Sequence, residues 1–197
     1  MNTPSTAQLL PALLLGLALT LAVWHDVKAR RIPNFVVLAG TAGALLLHLF
    51  MPSGESLFAV PAGSPGIASG LGGFACGLFL LLPFYALQTL GAGDVKLMAM
   101  VGSFLGPAGV AGAVLLSMVA GGALALAVAL WTGQLRPVLD NVAQMLRSAL
   151  VRGIGGVNPA IDQPASATGK LPYAIAIATG TAVHLAMRDW PVWHLFS

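Results

Sequence analysis

Residues 91–131 read GAGDVKLMAMVGSFLGPAGVAGAVLLSMVAGGALALAVALW. Asp94 and Lys96, at the head of this stretch, are its two charged residues. Residues 97–105 are apolar, Gly106-Pro107 breaks the run, and residues 108–131 are long enough to cross a bilayer. From Asp94 to Gly106 a helix would be about 18 Å long at about 1.5 Å per residue. That is short against a hydrocarbon core of roughly 30 Å. Such a helix starts below the membrane surface or borrows residues from both flanks. Either way Asp94 lies near or inside the headgroup boundary.

The rest of the chain has the same character. Of its 197 residues, 57% are hydrophobic and 8% charged, whereas a soluble domain carries about 25% charged residues. So few charges cannot coat a globule of this size, which excludes an ordinary soluble protein. The net charge of +3 is small, and the basic residues form no block of the kind that binds nucleic acid, so no nucleic-acid partner is expected. Cys76 is the single cysteine, which rules out an intramolecular disulfide and a multi-cysteine zinc site. The reading is one all-α integral membrane domain over 1–197, in contact with lipid.

Six spans are expected: 9–24, 35–51, 66–87, 94–106, 108–131 and 171–187. No charge precedes the first, and neither a positive leader region nor a small-residue cleavage site is visible, so it reads as a retained helix. It runs into His25-Asp26-Val27-Lys28-Ala29-Arg30-Arg31, the densest charge cluster, and Pro33 is placed to open the next helix. The third span carries Gly66-xxx-Gly70 and Gly73-xxx-Gly77, spacings that let helices approach closely. Residues 133–170 form a polar loop. Within it Leu135, Val138, Leu139, Val142, Met145, Leu146 and Leu150 make a helical apolar stripe opposite Arg136, Asp140, Gln144 and Arg147. This suits an amphipathic helix lying on the membrane surface, followed by a flexible loop over 153–169.

Lys and Arg orient the chain. They stand at 28, 30 and 31, at 96, and at 136, 147, 152 and 170, all on one side of a six-span protein; Arg188 alone falls opposite. The positive-inside rule makes that side cytoplasmic, with both termini outside.

Asp26 and Asp94 both abut apolar runs on this cytoplasmic side. Acidic groups at membrane depth are costly and are functional candidates by default. Each could instead be a helix-end charge balanced by its neighbours, Lys28, Arg30 and Arg31 for the first and Lys96 for the second. Together, with glycines leading into Asp94, they point to a shared site. Two carboxylates a few ångströms apart share a proton, so one can activate water while the other protonates a carbonyl oxygen. That chemistry calls for no metal, cofactor or covalent intermediate. Gly91 and Gly93 would let backbone approach, either towards the partner acid or towards an extended substrate.

Three stretches resemble the type IV prepilin peptidases, membrane aspartic proteases of the Gly-x-Gly-Asp class. Asp26-x5-Ile32-Pro33-Asn34 is similar to the family's first catalytic motif, and Gly91-Ala92-Gly93-Asp94-Val95-Lys96-Leu97 to its second. Lys170-Leu171-Pro172-Tyr173-Ala174-Ile175-Ala176 resembles the signature that opens the last span. The resemblance implies that Asp26 and Asp94 are the catalytic pair, with Gly91, Gly93, Lys96, Pro33, Asn34, Lys170 and Pro172 shaping the site. It implies a prepilin or pseudopilin substrate whose short basic leader is removed at the cytoplasmic membrane boundary. The longer members have an added N-terminal region, often with two Cys-x-x-Cys pairs, linked to N-methylation. This chain shows one cysteine and resembles the short branch that serves tight-adherence (Flp) pili, so methyltransferase activity is not expected.

Other candidates are weaker. His25 could tune Asp26 or simply be solvated. Lys96 could balance the charge of the pair or meet lipid phosphate. His48, His184 and His194 lie away from the site and share no metal spacing, Cys76 reads as a packing residue, and Trp190 and Trp193 as an interfacial anchor. The rival class is a small transporter or channel with Asp26 and Asp94 as a proton or cation relay. Both acids sit at one membrane edge, however, and no inverted repeat is evident. A structural assembly subunit would leave the three motif stretches unexplained. Sequence alone does not fix the oligomeric state.

Overall fold

A computed structural model describes residues 6–50, 66–87, 89–140, 143–144 and 172–187, and every regular element among them is helical. The elements are α1 (Thr6–Ala29), α2 (Asn34–Phe50), α3 (Gly66–Ala86), α4 (Ala92–Trp131) and α5 (Tyr173–Met187). Three helical stretches, Leu10–Ala29, Gly66–Ala86 and Ala92–Trp131, are long and apolar enough to cross a membrane; α2 and α5 are shorter apolar helices. Large apolar side chains such as Leu13, Leu38, Phe79 and Val119 stand exposed on the outer faces. In water that would be untenable, whereas against lipid tails it is the expected surface. The protein is an integral membrane protein.

α4 is two helices. Gly106 takes φ 73° and ψ 176°, a backbone conformation essentially reserved for glycine, and Pro107 follows it. The expected division between 94–106 and 108–131 is therefore present as a break inside one long element. The first half is the hub of the fold: Leu97, Met98, Ala99, Met100, Val101, Phe104 and Leu105 are all buried. A helix apolar on every side has to be enclosed on every side, and α3, α5, α2 and, less extensively, α1 all pack on α4.

α3 crosses the first half of α4 at backbone contact. A Cβ on Gly73 would overlap the Gly102 carbonyl oxygen, and one on Gly102 would overlap the Gly73 carbonyl oxygen. A Cβ on Gly77 would come within 2.6 Å of the Met98 oxygen. α5 approaches the second half similarly, with Gly180 against the Ser117 backbone and Ser117 Oγ donating to the Ile177 carbonyl at 3.5 Å. Small residues at crossings are how membrane helices gain close packing where lipid offers no hydrophobic drive.

Two boundaries depart from expectation. α1 does not stop at Trp24 with its apolar run; it continues to Ala29 and takes Asp26 with it. It ends at Arg30, whose φ of 51° is left-handed and whose N–H donates to the Asp26 carbonyl at 2.8 Å. Such a turn at a helix C-terminus satisfies a carbonyl the helix leaves over. Of the expected surface helix, residues 135–140 and 143–144 are helical. The rest of it, the loop 153–169, Lys170, Trp190 and Trp193 lie outside the described residues.

Candidate active site

Asp26 sits one turn before the end of α1 and is only 8% exposed, the one charged residue in the described core. Its Oδ2 accepts the N–H of Ala174 at 3.1 Å. Ala174 is in the first turn of α5, where helix N–H groups have no partner within their own helix. The first and third motif stretches, 148 residues apart at this contact, thus meet through a carboxylate that closes a helix end.

Asp94 stands three residues into α4. Its Oδ2 accepts the Gly91 N–H at 3.1 Å, while its own N–H donates to the Gly91 carbonyl at 3.1 Å. This is the carboxylate half of a capping box, and it holds the side chain at the mouth of the helix. Upstream, Thr89 closes α3: its N–H and Oγ1 both donate to the Phe84 carbonyl, at 3.0 and 2.8 Å. The chain is thereby delivered to Gly91 in a fixed direction. The charge of Asp26 acts on Asp94, and that of Asp94 acts on Tyr173 at the start of α5.

Two further contacts join the first motif to the second. Lys96 Nζ donates to Asn34 Oδ1 at 3.2 Å, and Gly93 faces Ile32, whose side chain would lie 3.4–3.5 Å from a Cβ placed there. Beside the roles read for Lys96 in sequence, charge balance or lipid phosphate, the structure gives it a partner in the amide of the other motif. Pro33 leads into α2, its carbonyl accepting the Val36 N–H at 3.2 Å, and the Pro172 carbonyl accepts the Ile175 N–H at 3.2 Å. Of the site residues read from sequence, eight are therefore gathered at one end of the bundle, while Lys170 is outside the described residues.

Sequence reasoning gave no separate role to Tyr173 or Ala174. Ala174 contributes only a backbone N–H, which no side-chain pattern reveals. Its position after Pro172 at the head of the last span was the available signal. His25 packs edge-on against Phe35, with ring centroids 6.1 Å apart, and Lys28 Nζ lies 4.0 Å above the Trp24 ring. Among the described residues, no three His, Cys, Asp or Glu side chains are placed to hold a metal.

Two carboxylates from separate chain segments, Asp26 buried and Asp94 half-buried, are thus each held by a backbone N–H, and carboxylates so held are the kind of group that general acid–base hydrolysis uses. No curated relative and no solved structure matches the chain. The model of the type IV leader peptidase family matches residues 13–126, which contain both Asp26 and Asp94, and the chain belongs to that family.

Proposed function

We propose that this protein is a membrane aspartic endopeptidase that removes the short basic leader of a prepilin or pseudopilin at the cytoplasmic membrane boundary. Asp26 and Asp94 are its catalytic pair. The observation that carries the proposal is that these two acids, from separate motifs, both stand at one end of the bundle, near enough for the charge of Asp26 to act on Asp94. One carboxylate takes a proton from water as the oxygen attacks the scissile carbonyl carbon, and the other protonates the carbonyl oxygen. When the tetrahedral intermediate collapses, a proton passes to the departing nitrogen and the C–N bond breaks. Gly91 and Gly93 let chain segments approach closely at the head of α4, Gly93 against Ile32 of the first motif. Pro33, Asn34, Lys96 and Pro172 hold the three stretches in register, and Lys170 is assigned to the site by its motif alone.

The arrangement in the membrane follows from the same reading. The two halves of α4 and the other four helices make six spans in the bacterial inner membrane, with both termini outside. The charged loops and the aspartates then face the cytoplasm. A prepilin helix lodged in the bilayer presents its leader at that depth. The single cysteine, which leaves no Cys-x-x-Cys pair in the sequence, favours the short, Flp-serving kind of enzyme, which cleaves without methylating.

The test is to incubate membranes containing this protein with a matched prepilin and a methyl donor, and to weigh the product. The expected result is a pilin shortened by its leader and bearing an unmodified N-terminus. An uncut prepilin would overturn the proteolytic reading, and a methylated product made by this chain would overturn the assignment to the short kind.

A further inference from the structure

Pro107 has no N–H, so the Ser103 carbonyl four residues earlier lacks the partner an unbroken helix would supply. Ser103 is fully buried, where a carbonyl without a donor is costly. The donor comes from another helix: His48 Nε2 lies 3.0 Å from the Ser103 oxygen. A carbonyl oxygen only accepts, so Nε2 carries the hydrogen. α3 closes over the same imidazole, since a Cβ on Gly70 would lie 2.9 Å from His48 Cδ2, and one on Gly66 would lie 2.8 Å from the His48 carbonyl oxygen. His48 therefore reaches from the last turn of α2 to the break in α4.

This break is the joint between two parts of the candidate site. The half of α4 before it carries Asp94. The half after it packs on α5 through Gly112 against the His184 ring and Ser117 against Gly180. α5 in turn supplies the Ala174 N–H that holds Asp26. A change of angle at Gly106 would therefore change how far apart the two acids stand. From Ser103 to Asp94 the buried half-helix is a lever of about 14 Å at about 1.5 Å per residue. A tilt of about 5° at the joint moves Asp94 by about 1 Å, and a misplacement of that size can cost about 10²-fold in rate.

We propose that His48 is a positioning residue for the peptide hydrolysis, its Nε2–H fixing the angle of the α4 break and with it the spacing of Asp26 and Asp94. The inference rests on the proteolytic reading above. It concerns a side chain at the opposite end of α2 from the acids.

Three variants separate donation from bulk. His48→Phe keeps a ring against Gly70 but has no donor. His48→Gln puts an amide N–H near the position of Nε2, and His48→Asn puts one too short to reach. The readouts are kcat and KM for prepilin cleavage at equal enzyme, with wild type and Asp94→Asn alongside. His48→Phe and His48→Asn should lose about 10- to 100-fold in kcat, as expected of a displaced acid, with KM unchanged. His48→Gln should recover most of the rate. Wild-type kcat in His48→Phe, or a loss in His48→Gln as deep as in His48→Asn, would overturn the proposal. If His48→Phe does not accumulate, the Gln–Asn pair decides by the same criterion. A wild type that cleaves and an Asp94→Asn that does not, beside an unaffected His48→Phe, would sink this inference and leave the proteolytic reading standing. A wild type that cleaves nothing would sink both.

Discussion

Asp26 follows Trp24 and His25 at the point where apolar residues give out, and nothing in that local run says that the side chain turns inward. Burial comes from the far end of the chain, through the Ala174 N–H. Asp94 is different: the glycine three residues before it supplies its hydrogen bond, so its posture is written locally. Both acids stand out in sequence as candidates, but the surroundings of Asp26 do not, because a backbone donor leaves no mark on residue type. Lys96 makes the same point, since its Asn34 partner is 62 residues away. That contact yields a prediction. Lys96→Met and Asn34→Ala should each slow cleavage by several-fold, the scale of a hydrogen bond to a charged group at about 1.5–3 kcal/mol, discounted for its exposure. The double variant should be little worse than either single one, because both remove the same bond. Fully additive losses in a double-mutant cycle would show that the two side chains act separately.

Among the elements, α4 decides the architecture. Gly106-Pro107 announced a break, and the positive φ at Gly106 explains why glycine occupies that position. Helices α2 and α3 begin and end within a residue or so of their apolar runs, because there the run and the helix share the same punctuation. α1 overran its apolar run because helix formation does not need apolar residues, and its end was set by the left-handed turn at Arg30. The glycine spacing in α3 was legible as a packing face, but its partner was not read: Gly102-xxx-Gly106 has the same spacing, and the Gly-Pro break at its end drew attention to Gly106 as a helix breaker instead. Gly73→Val and Gly102→Val should each destabilise by about 1–3 kcal/mol or more, as overpacking does. Here the obstacle is backbone, which cannot swing aside. Melting of the detergent-solubilised protein should fall by several degrees for each. Gly16→Ala on α1, with nothing within 4 Å of the added carbon, should melt like wild type. Equal melting of all three would remove the close crossing from the account.

Over the whole molecule, three stretches separated in sequence come to one end of a bundle, and the proposal that this end faces the cytoplasm rests on the chain's charge asymmetry. Periplasm-active reporters fused after Gly54 and at the C-terminus should be active, and one fused after Gly155 silent. The reverse pattern would put the acids on the wrong side for a leader that stays in the cytoplasm. The family could be recognised from the motifs because order and spacing survive in sequence. The hub position of the first half of α4 could not, since a helix apolar all round looks the same whether it meets lipid or protein. The central claim is that Asp26 and Asp94 act as one catalytic unit, and cleavage of a matched prepilin by Asp26→Asn and Asp94→Asn membranes, at immunoblot-matched levels, tests it most directly. The amide keeps the shape but cannot take a proton from water, so each variant should fall by about 10²–10⁴-fold or more, and the double variant no further than the worse single. Asp140→Asn, on an exposed residue, should cleave like wild type. Robust cleavage by either Asp26→Asn or Asp94→Asn would contradict the aspartic-protease account and return a proton or cation relay to first place.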